Sequence, residues 1–357
     1  MSMETDHNYQ ELMLEAYGLP NGHAKLQLLE EAARIADSLG EVEAGYSIRE
    51  EIVETASFSG FPRTALVAFS WQLGQFDKNP DLYDDWTLLW SYKWILGNIA
   101  TFPEIERSQI DALLEDMRRR YLEFGHSDYA YHYYRFVLAI DYGELEQAEQ
   151  ALNQLKTMER DEMSDCEACE QNEFVDFWVH RQNDEEVLKA AQPIMKGKMS
   201  CAEVPHVTLP KVLLPLYRQG KQKEADQYQK KSYKLINDNT DFVHAIGEHI
   251  GYLTVTDPYK ALELFEKHVH WTDMNEAPID KMLFHAYASG MFKRLTQETV
   301  QFNVKLPSSY PYPQHASDVN QLAEHYGKLA TDVARQLDRR NGNGYYSEYV
   351  NCLIDTV

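Results

Sequence analysis

A chain of 357 residues exceeds the usual size of one globular core, so either two domains or one elongated repeat array is expected. With 34 Lys+Arg against 57 Asp+Glu the formal charge is −23, and no basic stretch is long enough to track a phosphate backbone, which argues against direct nucleic-acid binding. The acidity reads as a solvated surface, or as one that favours a basic partner. Residues 1–7 carry neither a positive leader nor the apolar run of a signal peptide, and no segment approaches the ~20 uninterrupted apolar residues that span a bilayer, so a soluble, cytoplasmic protein is expected.

After an acidic N-terminal segment, 1–23, the stretch from Ala24 to Leu39 places Leu26, Leu29, Ala33, Ile35 and Ala36 at helical spacing and stops at Gly40. A second helical stretch runs through Ile52 and Val53, which predicts a helix pair with a tight turn. A third helix is predicted from Pro62 to Phe76, ended before Pro80, whose ring disfavours helix at the preceding residue. From Asp84 to Ile99 the residues Trp86, Trp90 and Trp94 fall four apart along one helical stripe, which reads as core between helices or as an aromatic platform. Thr101 to Glu104 has the form of a capping box, and the helix it predicts buries Ile110, Leu113, Leu114, Met117 and Tyr121.

The segment from Asp128 to Phe136 is the most aromatic of the chain. A helix there cannot turn every ring toward one neighbour, so Tyr131, Tyr134 and Arg135 are candidates for peptide contact in an open groove; the alternative packs each Tyr by its ring and leaves the hydroxyl in water.

A repeat follows. Gly143 with Ala148 matches Gly220 with Ala225, Asn183-Asp184-Glu185-Glu186 holds the same place between them, and Asp257-Pro258-Tyr259-Lys260-Ala261 is a fourth copy, at intervals of about 37–40 residues. The turn residue lets the chain reverse, and the small alanine lets the second helix approach the first. Apolar stripes continue each copy, as in Ala148, Leu152 and Leu155 or Ala261, Leu262, Phe265 and Val269.

These residues resemble the tetratricopeptide family, of an irregular, bacterial type, because the tryptophan and closing proline of the family are mostly missing. The resemblance is clearest over 128–275, with looser helical hairpins over 24–127. It implies an all-α, right-handed superhelix of helix hairpins whose concave face holds a protein or peptide, as scaffold or regulator, and it implies no catalysis. The remaining residues, 276–357, are expected to supply C-terminal helices. Pro307, Pro311 and Pro313 predict a non-helical loop, and the stripe Val319, Leu322, Tyr326, Leu329, Val333 and Leu337 predicts a final capping helix from Ser317 to Arg339.

Cys166-x2-Cys169 together with Cys201-x4-His206 has the composition of a Cys₃His zinc site, a closed tetrahedron that would be structural. The same cysteines allow a redox-active Cys166/Cys169 pair or plain buried thiols, and Cys352 reads as an ordinary thiol. A metal-dependent enzyme or redox protein using this cluster is the alternative to the scaffold. Glu248-His249 is suggestive only as a pair, and His244, His249, His268 and His270 lack the spacing that puts two imidazoles on one helix face. No phosphate-binding loop, dinucleotide fingerprint or nucleophile elbow is present, so no enzymatic activity is expected.

Overall fold

Residues in the left-handed region divide the chain into hairpins. Gly40, Gly143 and Gly220 have φ of 74°, 71° and 74°, and Gln182 takes the same region at 54°. The computed structural model describes residues 8–356, and among them helices are the regular structure, with no strand. After α1 (Tyr9–Tyr17) and α2 (His23–Leu39), α3 (Val42–Ser57) pairs with α4 (Pro62–Phe76) and α5 (Asp85–Ile99) with α6 (Arg107–Glu123). Next come α7 (Tyr129–Asp141) with α8 (Leu145–Leu155), α9 (Glu167–His180) with α10 (Asp184–Met195), α11 (Leu213–Arg218) with α12 (Gln222–Ile236), and α13 (Val243–Thr256) with α14 (Pro258–His268). A short α15 (Trp271–Met274) leads to α16 (Pro278–Leu295), α17 (Val319–Asn341) and α18 (Tyr345–Thr356).

First helices of successive hairpins form one layer, α3 on α5 on α7 on α9 and then α11 on α13 on α16 on α18. The four repeat turns of the sequence are the turns of the hairpins that begin with α7, α9, α11 and α13, and Ala148, Ala225 and Ala261 are fully buried where the paired helices meet. The chain is thus an all-α array of helix hairpins.

Two expectations need correction, and a third holds in part. The capping box does not lie at Thr101: residues 101–106 are non-helical with Phe102 buried, and α6 opens five positions later, where the Gln109 side chain accepts from the Glu106 amide at 3.1 Å. The final helix of the sequence reading is α17, but α18 follows it, and Leu329 on the predicted stripe is exposed. Among the tryptophans Trp90 and Trp94 pack half-buried on the core while Trp86 is exposed, because the buried face of α5 is Leu88, Leu89, Tyr92, Ile95 and Leu96.

Two hydrophobic cores fill the array, one under α1–α8 and one under α10–α18, and α9 belongs to both. The two halves are also tied at helix ends, whose last carbonyls have no partner within the helix. Arg340 Nη1 donates to the Ala100 and Phe102 carbonyls beyond α5 at 2.7 and 3.1 Å. Asn341 Nδ2 and the Tyr346 hydroxyl donate to Asp141 O at the end of α7 at 3.2 and 2.9 Å, and Asn343 Nδ2 donates to Tyr142 O at 2.7 Å. Past α3, Phe58 O and Ser59 O accept from Asn239 Nδ2 and Thr240 Oγ1, each at 3.2 Å, and Gly60 O accepts from the Glu276 amide at 2.7 Å. The Glu276 carboxylate in turn accepts from the Arg63 and Thr64 amides at the start of α4, at 3.0 and 3.2 Å, where a negative charge complements the helix dipole.

Gly143 does two jobs that Gly220 does not. A Cβ there would lie 2.3 Å from Cγ of Tyr345, whereas one on Gly220 would meet nothing within 4 Å, although both residues are left-handed. Gly220→Ala should cost about 1 kcal/mol from backbone strain alone. Gly143→Ala should cost roughly 2–4 kcal/mol, because α18 must also move. Denaturant unfolding of the two variants checks this; equal losses would show that the α7–α8 turn and α18 are not in contact.

Candidate functional site

Cys166 is the N-cap of α9, and its Sγ accepts the Cys169 backbone N–H at 3.0 Å. Cys166 and Cys169 are joined by a disulfide. The third thiol comes from the non-helical stretch between α10 and α11: Cys201 Sγ lies 3.4 Å from Cys169 Sγ, and the three sulfurs fall within 4.8 Å of one another, all partly exposed. Each segment of the junction is held by hydrogen bonds of its own. The buried Lys93 donates to the carbonyls of Met163 and Ser164 at 3.2 and 3.5 Å, and burial lowers its pKa to about 8. On the other side the Cys201 amide donates to Val204 O at 2.9 Å, and Thr208 Oγ1 donates to Asn172 Oδ1 of α9 at 2.7 Å. Apolar support is small: Ala168, Ile194 and Val204 form a satellite cluster apart from the two cores.

His206 is not in the converging group. Its ring stacks on Phe242 at 5.7 Å between centroids, and its buried Nδ1 has no hydrogen-bond partner among the described residues. The four ligands of the sequence reading thus become three sulfurs. Two of these are joined in the disulfide; as free thiolates the three would form a donor set for a thiophilic ion, since Zn–S bonds of about 2.3 Å in a tetrahedron put sulfurs about 3.8 Å apart, close to the separation of Cys169 and Cys201.

The aromatic segment 128–136 is α7. Tyr131 and Tyr134 belong to the first core, their hydroxyls donating to Glu115 Oε1 at 2.5 Å and Asp165 Oδ2 at 3.3 Å. These rings are therefore packing residues with satisfied hydroxyls, and of the three groove candidates only Arg135 is exposed. Tyr134, through Asp165, abuts the thiol junction.

A cleft that the sequence did not reveal lies on the layer of first helices. Its cavity, of about 350 Å³, is walled by Val179, Val187, Pro210, Leu214, Pro215 and Leu353 and carries Lys211, Arg218, Glu248, Tyr287 and Tyr349. Lys211 Nζ pairs with Asp176 Oδ2 at 2.5 Å, and although burial opposes its charge, Asp176, Glu248 and Glu173 keep its pKa raised. Glu173 is raised by burial and by Asp176. His244 sits 3.6 Å from Asp280; burial favours the neutral ring, but Asp280 outweighs it and lifts the pKa to about 9. Burial pushes Glu248 up to about 7, and its Oε2 has no partner among the described residues. His249, beside it in sequence, turns the other way and meets Ser232 Oγ at 3.1 Å inside the second core. The pair noticed in the sequence thus separates into one cleft residue and one core residue, and only pairing α13 with α11 and α16 distinguishes them. Gly251 allows that pairing, since a Cβ there would come within 2.5 Å of the Tyr287 ring.

Glu248 gives a pH signature. Its carboxyl is protonated up to about pH 7 in the fold against 4.5 as its ordinary value. The native state therefore holds an extra proton between those values. Its contribution to stability is complete below 4.5 and is lost as the pH rises through 7. Glu248→Gln removes this dependence, so wild type should lose roughly 2–3 kcal/mol relative to the variant between pH 4.5 and 8. Parallel urea titrations across that range measure the difference; a pH-independent difference would show that Glu248 is ordinarily ionised.

No family model matches this chain, and neither does any curated protein.

Proposed function

We propose that this protein is a tetratricopeptide-like scaffold or regulator that binds a peptide segment of another protein in the cleft beside α9, α11, α13 and α18, with zinc as a structural ion at the three-thiol junction. The observation that carries the reading is the cleft itself. It combines apolar walls with side chains of both charges and a carboxyl oxygen without a partner among the described residues, the mixture that anchors an apolar side chain and fixes the polar groups on either side. Two tyrosines, Tyr287 and Tyr349, supply rigid amphipathic contact area. A cavity of about 350 Å³ accommodates one or two side chains, leaving the rest of a bound peptide to run along the layer of first helices. The hairpin repeat supports the same reading by resemblance alone.

Filling the cavity tests it without removing a charge. Leu214 is half-buried on the wall, and Leu214→Trp places an indole in the space. Panning a random peptide library should enrich clones on the wild-type protein and lose them on the variant, with the melting temperatures of the two within a few degrees. Clones that bind both equally, or no enrichment on the wild type, would remove the cleft as a peptide site.

A further inference from the structure

We propose that the three-thiol junction is a redox gate: reduced, Cys166, Cys169 and Cys201 hold one zinc ion through three thiolates, and oxidation of Cys166 and Cys169 to their disulfide releases it. The proposal rests on the zinc part of the reading above and not on the peptide part. Three observations carry it. The disulfide and the third sulfur occupy the same place, with Cys201 Sγ 3.4 Å from Cys169 Sγ, so both states suit one backbone arrangement. All three cysteines are partly exposed, so a small oxidant reaches them. The ligand group within 4.8 Å is the three sulfurs alone, so among the described residues the fourth tetrahedral position is supplied from outside the group.

The two states differ in what they fasten. The disulfide joins residues three apart within the first turn of α9 and cross-links nothing beyond it. A metal ion shared with Cys201 ties the start of α9 to a position 32 residues away, in a segment held at its far end by the Thr208–Asn172 hydrogen bond and the stacking of His206 on Phe242 and near Cys201 by a satellite cluster of three buried residues. Closing the longer loop constrains the unfolded chain far more than closing the shorter one. That segment leads directly into Lys211, the partner of Asp176 on α9 in the cleft, so the gate also acts on the elements that shape the cleft.

The oxidant is a small disulfide of the glutathione class. The Cys166 thiolate attacks one sulfur of the reagent, forming a mixed disulfide and expelling one glutathione thiolate. The Cys169 thiolate then attacks the Cys166 sulfur, forming the protein disulfide and expelling the second. Two protein sulfurs lose two electrons in all and the reagent is reduced to two thiolates, which are protonated by water; Cys201 likewise takes a proton from water as the ion leaves.

The test uses the full chain, reduced, loaded with zinc and freed of excess. About one zinc per chain is expected. Oxidised glutathione should release it in step with a Cys166–Cys169 disulfide found by peptide mapping, and amide exchange over 197–209 should rise several-fold. Cys201→Ser should still form the disulfide but bind zinc at least tenfold more weakly. Failure of the reduced protein to bind zinc would overturn the metal site and, with it, the zinc part of the proposed function. Zinc retained in oxidised glutathione, with Cys166 and Cys169 unreacted, would overturn the gate while leaving a structural zinc. Equal zinc affinity in Cys201→Ser would overturn the three-sulfur ligand set.

Discussion

Helix α9 is held from two sides, and much else follows from that constraint. Phe177 is fully buried in the first core and Val175 in the second, and Trp178 packs against both. A helix gripped this way has little freedom to rotate or slide, because either motion withdraws one apolar side chain from close packing. Its remaining surface is thereby fixed. The N-terminus presents Cys166 and Cys169 toward Cys201, and the half-buried Glu173 and Asp176 face Lys211. Thiol chemistry and cleft electrostatics are consequences of one packing arrangement.

Inside the closed layer the ionisable groups are not a neutral set. Glu173, Glu248 and Asp141 are all pushed upward by burial, and Lys211 and His244 answer only part of the carboxylate charge. Burying ionised carboxylates without enough partners is expensive, so the interior holds protons instead. His180, at the far end of α9, shows the complement: burial lowers it to about 4, and the neutral ring bonds the Tyr345 hydroxyl of α18. The formal charge of −23 thus describes the sequence better than it describes the cleft.

How much of this was legible in the sequence depended on whether a residue's role is set locally. The hairpin turns were, because a left-handed glycine and a small alanine answer to their own turn and their own partner helix. So were Cys166 and Cys169 as a pair, since Cys-x2-Cys at a helix start is a local geometry, whereas Cys201 joins them from 32 positions away. His206 was not, because whether it reaches the sulfurs depends on the path of 201–209, and the structure sends it to Phe242. Helix α16 left no stripe to read: every residue from Phe284 to Phe292 is buried, so its apolar residues surround the axis. Tyr131 and Tyr134 looked like surface rings because a Tyr-rich segment has polar tips. Their hydroxyls meet Glu115 and Asp165, and neither partner is marked by sequence spacing.

Arrays of helix hairpins ordinarily gain and lose units freely, because each touches only its neighbours. Here the helix ends of α3, α5 and α7 are completed by Asn239, Glu276, Arg340 and Asn341, roughly two hundred residues downstream. One hairpin more or fewer would carry those partners past the carbonyls they cap, leaving unsatisfied polar groups at several points together. The number of hairpins is therefore set by closure, and the chain has given up the modularity of its architecture for a fixed circumference.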